Sequence, residues 1–242
     1  MAGEHLFVGA LSEAADAVAR NDVAAVRAYL AQGGRADAKG NSGATLLHLA
    51  ALNNAAEVAA LLLQAGADPN APAADGRTPV SLAVVTADPE KGRDGLATLK
   101  ALLQGGGDPN TRHLGGNPVA LHFGAEMPGH LDGLRLLHAA GADLNARTRT
   151  HEPLVVSLAL SGNWDSVATL VELGADWRAV DRGSSVPQIA QDDPTGRDSP
   201  QRPHLDRLMA FFRTQGIRFP IQTPRENGFA SGHLSSDGQK IE

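Results

Sequence analysis

One short phrase recurs five times along the chain, and its spacing constrains the fold more than any other feature. The copies are Gly33-Gly34-Arg35-Ala36-Asp37, Gly66-Ala67-Asp68-Pro69-Asn70, Gly106-Gly107-Asp108-Pro109-Asn110, Gly141-Ala142-Asp143-Leu144-Asn145 and Gly174-Ala175-Asp176-Trp177-Arg178. Their first glycines lie 33, 40, 35 and 33 residues apart. Such a period indicates structural units that bury their apolar faces by stacking on one another.

A helical pattern precedes each phrase. Counting back from the first glycine, positions −7, −4 and −3 are apolar in nearly every copy, and this spacing places them on one side of an amphipathic helix. These residues are Val26, Tyr29 and Leu30; Ala59, Leu62 and Leu63; Leu99, Leu102 and Leu103; Leu134, Leu137 and His138; and Val167, Leu170 and Val171. The glycine that follows predicts the left-handed position at which a helix ends.

A second, shorter apolar segment lies upstream of each of these helices, and turns rich in Gly, Asp and Pro separate the units. Four of these segments are Leu47-His48-Leu49-Ala50-Ala51, Val80-Ser81-Leu82-Ala83, Leu121-His122-Phe123-Gly124-Ala125 and Val156-Ser157-Leu158-Ala159. Each unit is therefore predicted to be a turn, a short helix, a turn and a second helix.

In this register, residues 41–51 followed by residues 66–70 closely resemble the ankyrin repeat, and the resemblance covers about residues 11–217. It implies an all-α ankyrin-repeat solenoid of about six helix-pair units, with N- and C-terminal caps. Residues 1–10 are expected to form an N-terminal extension and residues 218–242 a flexible C-terminal tail. The alignment matches His122 to the structural histidine of the family's first helix, and Ser81 and Ser157 replace that histidine.

Composition excludes several classes of protein. The net charge of −6 argues against binding nucleic acid through phosphate neutralisation. The absence of cysteine removes disulfide scaffolds, thiolate zinc sites and thiol catalysis. No basic segment followed by an apolar run opens the chain, and no window reaches the length of a membrane span. We expect a bacterial, cytoplasmic protein that is monomeric when free, with no cofactor, nucleic acid or membrane partner.

Two motifs suggest chemistry, and each has a stronger structural interpretation. His122, Glu126 and His130 are spaced by four, as zinc ligands on a helix can be, but Pro128-Gly129 interrupts the helix. The run Gly105-Gly106-Gly107 follows a helix instead of preceding one, so helix termination explains it better than a phosphate loop does.

The aspartates of the recurring phrase recur once per unit, which favours capping of the turn backbone over a carboxylate site. They are Asp68, Asp108, Asp143 and Asp176. No serine lies in a nucleophile elbow, and the sequence places no acid–base pair beside one. We therefore expect no catalytic, metal-binding or cofactor-binding residues, and no enzyme.

Two further features leave alternatives open. The insertion at residues 86–95 lengthens the loop inside one unit; it is either a binding loop or a tolerated surface loop. Trp164 and Trp177 lie in one late unit, where core filling is favoured over anchoring a partner.

The family resemblance implies recognition of a protein partner by a concave surface of turns and first helices. The acidic net charge favours a partner with a basic face, mainly through the association rate. Three kinds of partner remain open: a toxin neutralised by this chain as an immunity protein, an enzyme or stress pathway that it scaffolds or regulates, and a target in another cell that it enters as an effector. The predicted contacts are Asn41, Ser42, Leu52, Asn53, Asp75, Arg77, Val85, Thr86, Leu114, Glu126, Met127, His151, Glu152, Leu160 and Ser161.

Overall fold

Helices account for nearly all regular structure in the computed structural model, which describes residues 9–87, 95–113, 115–125 and 131–221. In these ranges, twelve helices form six consecutive pairs, which confirms the all-α repeat fold. The pairs are α1 (Ala10–Ala19) and α2 (Val23–Ala31), α3 (Leu46–Leu52) and α4 (Ala56–Gln64), α5 (Pro79–Thr86) and α6 (Gly95–Gln104), α7 (Val119–Ala125) and α8 (Asp132–Ala139), α9 (Leu154–Leu160) and α10 (Trp164–Glu172), and α11 (Val186–Asp192) and α12 (Arg202–Thr214). Two short antiparallel strands, β1 (Val180–Asp181) and β2 (Ser184–Ser185), precede α11.

The chain divides into two compact units. Unit 1 comprises Met1–Val119 and Ala139–Ala142, and unit 2 comprises Ala120–His138 and Asp143–Glu242. In unit 1 the first helices of successive pairs pack side by side, α1 on α3 and α3 on α5. The second helices form another layer, with α2 on α4 and α4 on α6. In unit 2, α9 packs on α10 and α11, and α12 packs on α10 and α11.

The predicted apolar stripe forms the core of the second helices. At positions −7 and −4 from the glycine, Leu62 and Leu99 in unit 1 and Leu137 in unit 2 are fully buried. Position −3 lies nearer the edge of the core, since Leu63 and Val171 are only half-buried and Leu103 keeps 9% exposure. The side chains at positions −7 and −4, which lie about one turn apart, therefore pack into the core.

The recurring phrase ends the second helices of the first five pairs, as predicted. Its five first glycines have φ between 88° and 97°, a conformation in which a residue with a Cβ is strained. After α6, the Gly107 N–H donates to the Leu102 carbonyl and the Gly106 N–H to the Leu103 carbonyl, so Gly105-Gly106-Gly107 terminates a helix.

The aspartates of the phrase cap its turn. Each Oδ1 accepts the backbone N–H two residues later, at 2.8 to 3.0 Å. The asparagine that follows links neighbouring repeats: Asn70 accepts from the Asp108 N–H through Oδ1 and donates to the Gly106 carbonyl through Nδ2. Asn145 accepts from the Asp176 N–H in the same way. These polar residues hold the turns of successive repeats in register.

The register of two first helices differs by one residue from the sequence alignment. Backbone bridges join Lys39 to Thr45, Arg112 to Pro118 and Arg147 to Pro153, and a helix begins at the residue after each bridge. By this register the position of His48 belongs to Leu121 and Val156. The alignment of His122 and Ser157 with that position was wrong, because it followed residue likeness whereas the backbone bridge fixes where the helix begins.

Both tryptophans belong to the core of unit 2. Trp164 is fully buried, and the ring of Trp177 lies 5.2 Å from that of Phe212, centroid to centroid. The chain after α12 then returns to α11, where the Ile221 N–H donates to Gln191 Oε1 at 2.6 Å. Ile217 and Ile221 are buried. The predicted core-filling role of the tryptophans is confirmed.

Candidate functional site

The turns before α3 and α5 project as two fingers, at residues 39–45 and 72–78. Each is closed by a backbone hydrogen bond, from Gly40 N–H to the Ala44 carbonyl and from Ala73 N–H to the Arg77 carbonyl. The Ala74 N–H donates to the Ser42 carbonyl at 2.8 Å and joins the two fingers. We call these fingers, together with the side of α3 and α5 that they adjoin, the finger face of unit 1.

His48 connects the first finger's helix to the second finger. Its Nδ1 accepts the Thr45 N–H at 3.0 Å, which leaves Nε2 to carry the proton and donate to the Arg77 carbonyl, also at 3.0 Å. Burial is the main cause that lowers the pKa of His48 below its ordinary 6.5. A neutral ring therefore fixes the position of the second finger relative to α3.

An open pocket of about 260 Å³ lies in the finger face. Its lining is mostly aliphatic, and its polar side chains stand on the fingers except for His48 on α3. The lining residues are Ser42, Ala44, His48, Leu49, Leu52, Ala73, Ala74, Asp75, Arg77 and Leu82. Because Leu49 and Leu52 are three residues apart on α3, they lie on the same side of that helix.

Two exposed aliphatic side chains extend this apolar surface. Leu52 is 54% exposed and Val85, at the equivalent position of α5, is 48% exposed. Large apolar side chains with this exposure stand out, since the described residues contain only one other, Leu160 at 57%. An apolar pocket beside exposed aliphatic side chains is the usual sign of an interaction surface.

An ion pair stands on the second finger. The Asp75 carboxylate accepts the Arg77 backbone N–H through Oδ1, and Arg77 Nε and Nη2 through Oδ2 at 2.7 and 2.6 Å. The hydrogen bond from the Arg77 side chain is the main cause that lowers the pKa of Asp75. Asp75 is therefore ionised and its charge is compensated within its own finger.

The structure brings eight of the predicted contact residues together in unit 1. Asn41 and Ser42 lie on the first finger, Asp75 and Arg77 on the second, and the others at the carboxyl ends of α3 and α5. Those others are Leu52, Asn53, Val85 and Thr86. Thr86 also donates from Oγ1 to the Ala51 carbonyl at 2.9 Å, so part of its role is to join the two repeats.

Four predicted contacts lie in unit 2. Leu160 and Ser161 stand at the end of α9, and both are exposed. His151 is exposed and has φ of 65°, the conformation that Gly43 and Gly76 have in the fingers of unit 1. Glu152 is mostly buried, and its Oε1 lies 3.7 Å from Nη2 of Arg182. The remaining three predicted contacts, Leu114, Glu126 and Met127, lie outside the described residues.

A comparison with protein families matches residues 13–113 to the family model of ankyrin repeats, three copies. Residues 13–113 are ankyrin repeats. The matched range holds both fingers and every residue of the pocket. Ankyrin repeats are protein–protein interaction modules and are typically not catalytic. No curated protein matches the chain.

The ankyrin repeats show no metal centre or membrane span in the part that the structure describes. No group of three or more potential ligands gathers there, and no described helix is both long and apolar enough to cross a bilayer. Glu126 and His130 of the spaced motif lie outside the described ranges, as does most of the 86–95 insertion. His122 is 8% exposed and packs edge-on against Phe123.

Sequence reasoning missed the inner wall of the pocket in the ankyrin repeats. Leu49 and Leu82 were assigned to the apolar segment of the first helix, although each lies three residues before an exposed position, Leu52 or Val85. That spacing was the signal that could have found them. The sequence held no such signal for Ala44, Ala73 and Ala74, because it is the hydrogen bond between the fingers that brings them to the pocket.

Proposed function

We propose that this protein binds a protein partner through the finger face of unit 1, with the pocket at the centre of the contact. The observation that carries the proposal is the apolar pocket beside Leu52 and Val85. The helices α3 and α5 bear no charged side chain, since His48 is neutral. Burial of this surface by a partner would stabilise a complex by removing aliphatic area from water.

Other predicted contacts lie around the pocket, and a separate group lies on unit 2. Asn41, Ser42 and the Asp75–Arg77 pair form its polar rim, and such rims set orientation more than affinity. Leu160, Ser161, His151 and Glu152 provide a second set of contacts on unit 2. No catalytic group is needed for this function, and we propose that the protein is not an enzyme.

We propose inhibition as the biological role, in which the chain neutralises a secreted bacterial toxin as its immunity protein. The net charge of −6 supports fast association with a basic partner. A scaffold or regulator of a stress-response enzyme, and an effector delivered into another cell, need the same docking surface. The three roles differ in the partner and in what binding does to it. An inhibitor lowers the activity of its partner on binding.

The test begins with capture of partners by the full chain from its native host, followed by binding kinetics with the purified partner. The variant Leu52→Glu with Val85→Glu places two charges on the apolar part of the finger face. We expect it to weaken binding at least tenfold, as loss of a central apolar contact does. The partner's own activity is then assayed with and without the chain.

The matched control is Ala28→Glu with Ala31→Glu, which adds the same two charges to exposed positions of α2 in unit 1. It should leave the affinity unchanged. Equal affinity for the wild type and the Leu52/Val85 variant would reject the finger face as the docking surface. A Leu160→Glu variant reports separately whether unit 2 contributes.

A further inference from the structure

The charges around the pocket differ in sign from the charge of the whole chain. The finger face carries three charged side chains, Lys39, Asp75 and Arg77. Two are cations and one is an anion, whereas the chain as a whole carries −6. Long-range association responds to the total charge, but a group bound in the pocket responds to the charges within a few ångströms.

Arg77 retains hydrogen-bonding capacity towards a ligand. It uses Nε and Nη2 for Asp75, and no hydrogen bond among the described residues uses its Nη1. A guanidinium has five N–H donors in a planar fork, so a second carboxylate can bind at the edge that Asp75 leaves open. Asp75, by contrast, has both oxygens directed to its own finger.

Lys39 adds to this positive character. Its backbone pairs with Thr45, which caps α3, and its side chain is exposed and makes no ion pair within the described part of the chain. Lys39 also lies close enough to His48 to contribute to the lowered pKa of that ring. The cations therefore stand on both fingers, and the single anion is already compensated.

The size of the pocket limits what it can hold. Its volume of about 260 Å³ is below the range of about 300–1,000 Å³ that is common for drug-sized ligands and cofactors. Its aliphatic floor of Leu49, Leu52 and Leu82 suits one apolar side chain. The occupant is thus better described as an anchor residue of a protein segment than as a separate small molecule.

We infer that the pocket takes an apolar side chain of a partner segment in which the neighbouring residue is acidic. The apolar side chain lies against Leu49, Leu52 and Leu82, and the carboxylate binds the open edge of Arg77. This inference rests on the proposed docking function and names the partner chemistry that the site selects. Two charge effects are thereby distinguished. The net charge of the whole chain favours association with a basic partner surface, whereas the pocket selects an acidic residue at the point of contact.

The experiment uses the full chain and three capped dipeptides: N-acetyl-Leu-Glu-amide, N-acetyl-Leu-Gln-amide and N-acetyl-Leu-Lys-amide. Backbone amide NMR shifts are followed during titration, and dissociation constants of about 1 mM are expected for ligands of this size. Residues 42–52 and 73–82 should respond. The Glu dipeptide should bind about two- to fivefold more tightly than the Gln dipeptide, and the Lys dipeptide least tightly, as exposed ion pairs allow.

Three variants assign the effect to residues. Arg77→Gln should abolish the preference for Glu and shift it towards Lys, because it leaves Asp75 uncompensated. Leu52→Ala should weaken binding of all three dipeptides. Ala28→Glu changes an exposed position of α2, outside the finger face, and should change nothing. Raising the salt concentration should reduce the preference for Glu without removing binding of the leucine side chain.

Equal affinities for the three dipeptides, a preference for Lys in the wild type, or shifts that do not include the pocket would overturn the inference. Failure here is distinct from failure of the proposed function. If binding of the captured partner depends on Leu52 and Val85 but the dipeptides show no preference, the docking face stands and the acidic neighbour of the anchor residue is rejected. If the dipeptide affinities rank as expected but the affinity of the partner does not change in the Leu52/Val85 variant, the proposed docking function is rejected instead.

Discussion

At the scale of single residues, the same helical position makes different connections in neighbouring repeats. His48 spans from its own cap at Thr45 to the carbonyl of Arg77 on the next finger. Among the described residues Ser81, at the equivalent position of α5, bonds within its own repeat, where Oγ accepts the Thr78 N–H and donates to the Thr78 carbonyl. The two residues were aligned correctly from the sequence, but their reach follows from side-chain length and could be seen only in the folded chain.

The link through His48 is expected to depend on pH. Replacing His48 with Ala removes two hydrogen bonds from a buried ring and should lower the free energy of unfolding by about 1–3 kcal/mol at neutral pH. Because the pKa of His48 is lowered in the folded state, its contribution is fully present above about 6.5. It is lost as the pH falls from 6.5 through the lower pKa of the folded protein.

Urea denaturation of the wild type and the His48→Ala variant at several pH values measures this contribution. The difference between them should narrow below about pH 6.5. Ser81→Ala is the matched control, since serine does not titrate in this range and its difference from the wild type should stay constant. A His48→Ala difference that is independent of pH would contradict the neutral, bridging histidine.

At the scale of helices, the sequence predicted which side of each second helix is buried, because glycine fixes the helix end and apolar spacing fixes the side. It did not predict that position −3 lies at the edge of the core. That outcome depends on how far each helix is rotated against its neighbours. The one-residue error at His122 and Ser157 has a different origin, since backbone bridges fix where the first helices begin.

Truncation of inward leucines tests this helical register. Leu62 in α4 and Leu137 in α8 are fully buried, so replacing either with Ala should cost about 2–5 kcal/mol. Leu52→Ala and Leu160→Ala, at exposed positions, should cost less than about 0.5 kcal/mol. Urea denaturation gives all four values, and similar small losses at Leu62 and Leu137 would show that the assigned stripe does not face the core.

Polar links between repeats have a smaller expected effect. Replacing Asn70 with Ala removes hydrogen bonds to the Asp108 N–H and the Gly106 carbonyl, and should cost about 0.5–1.5 kcal/mol. Gln64→Ala, at an exposed position at the end of α4, serves as the control and should stay within about 0.5 kcal/mol of the wild type. If the two variants were equally stable, the asparagine would not couple the turns of neighbouring repeats.

At the scale of the molecule, the repeat period and the phrase that carries it were enough to predict the fold. The candidate site was only half predictable. Finger tips and exposed helix ends follow from the repeat pattern, as for Ser42 and Leu52. The inner wall at Leu49, Leu82 and the finger alanines depends on two repeats packing together, and no single-repeat pattern contains that information. Net charge, likewise, gave no indication of the cations on the finger face.

Hydrogen–deuterium exchange of the full chain, with and without its captured partner, tests the docking surface most directly. Exchange should slow in residues 40–53 and 73–86, which form the fingers and first helices of unit 1, and should change little in α4 and α6 behind them. The Leu52→Glu, Val85→Glu variant should show no such slowing. Protection confined to the second helices, or to unit 2 alone, would contradict a partner bound at the finger face of unit 1.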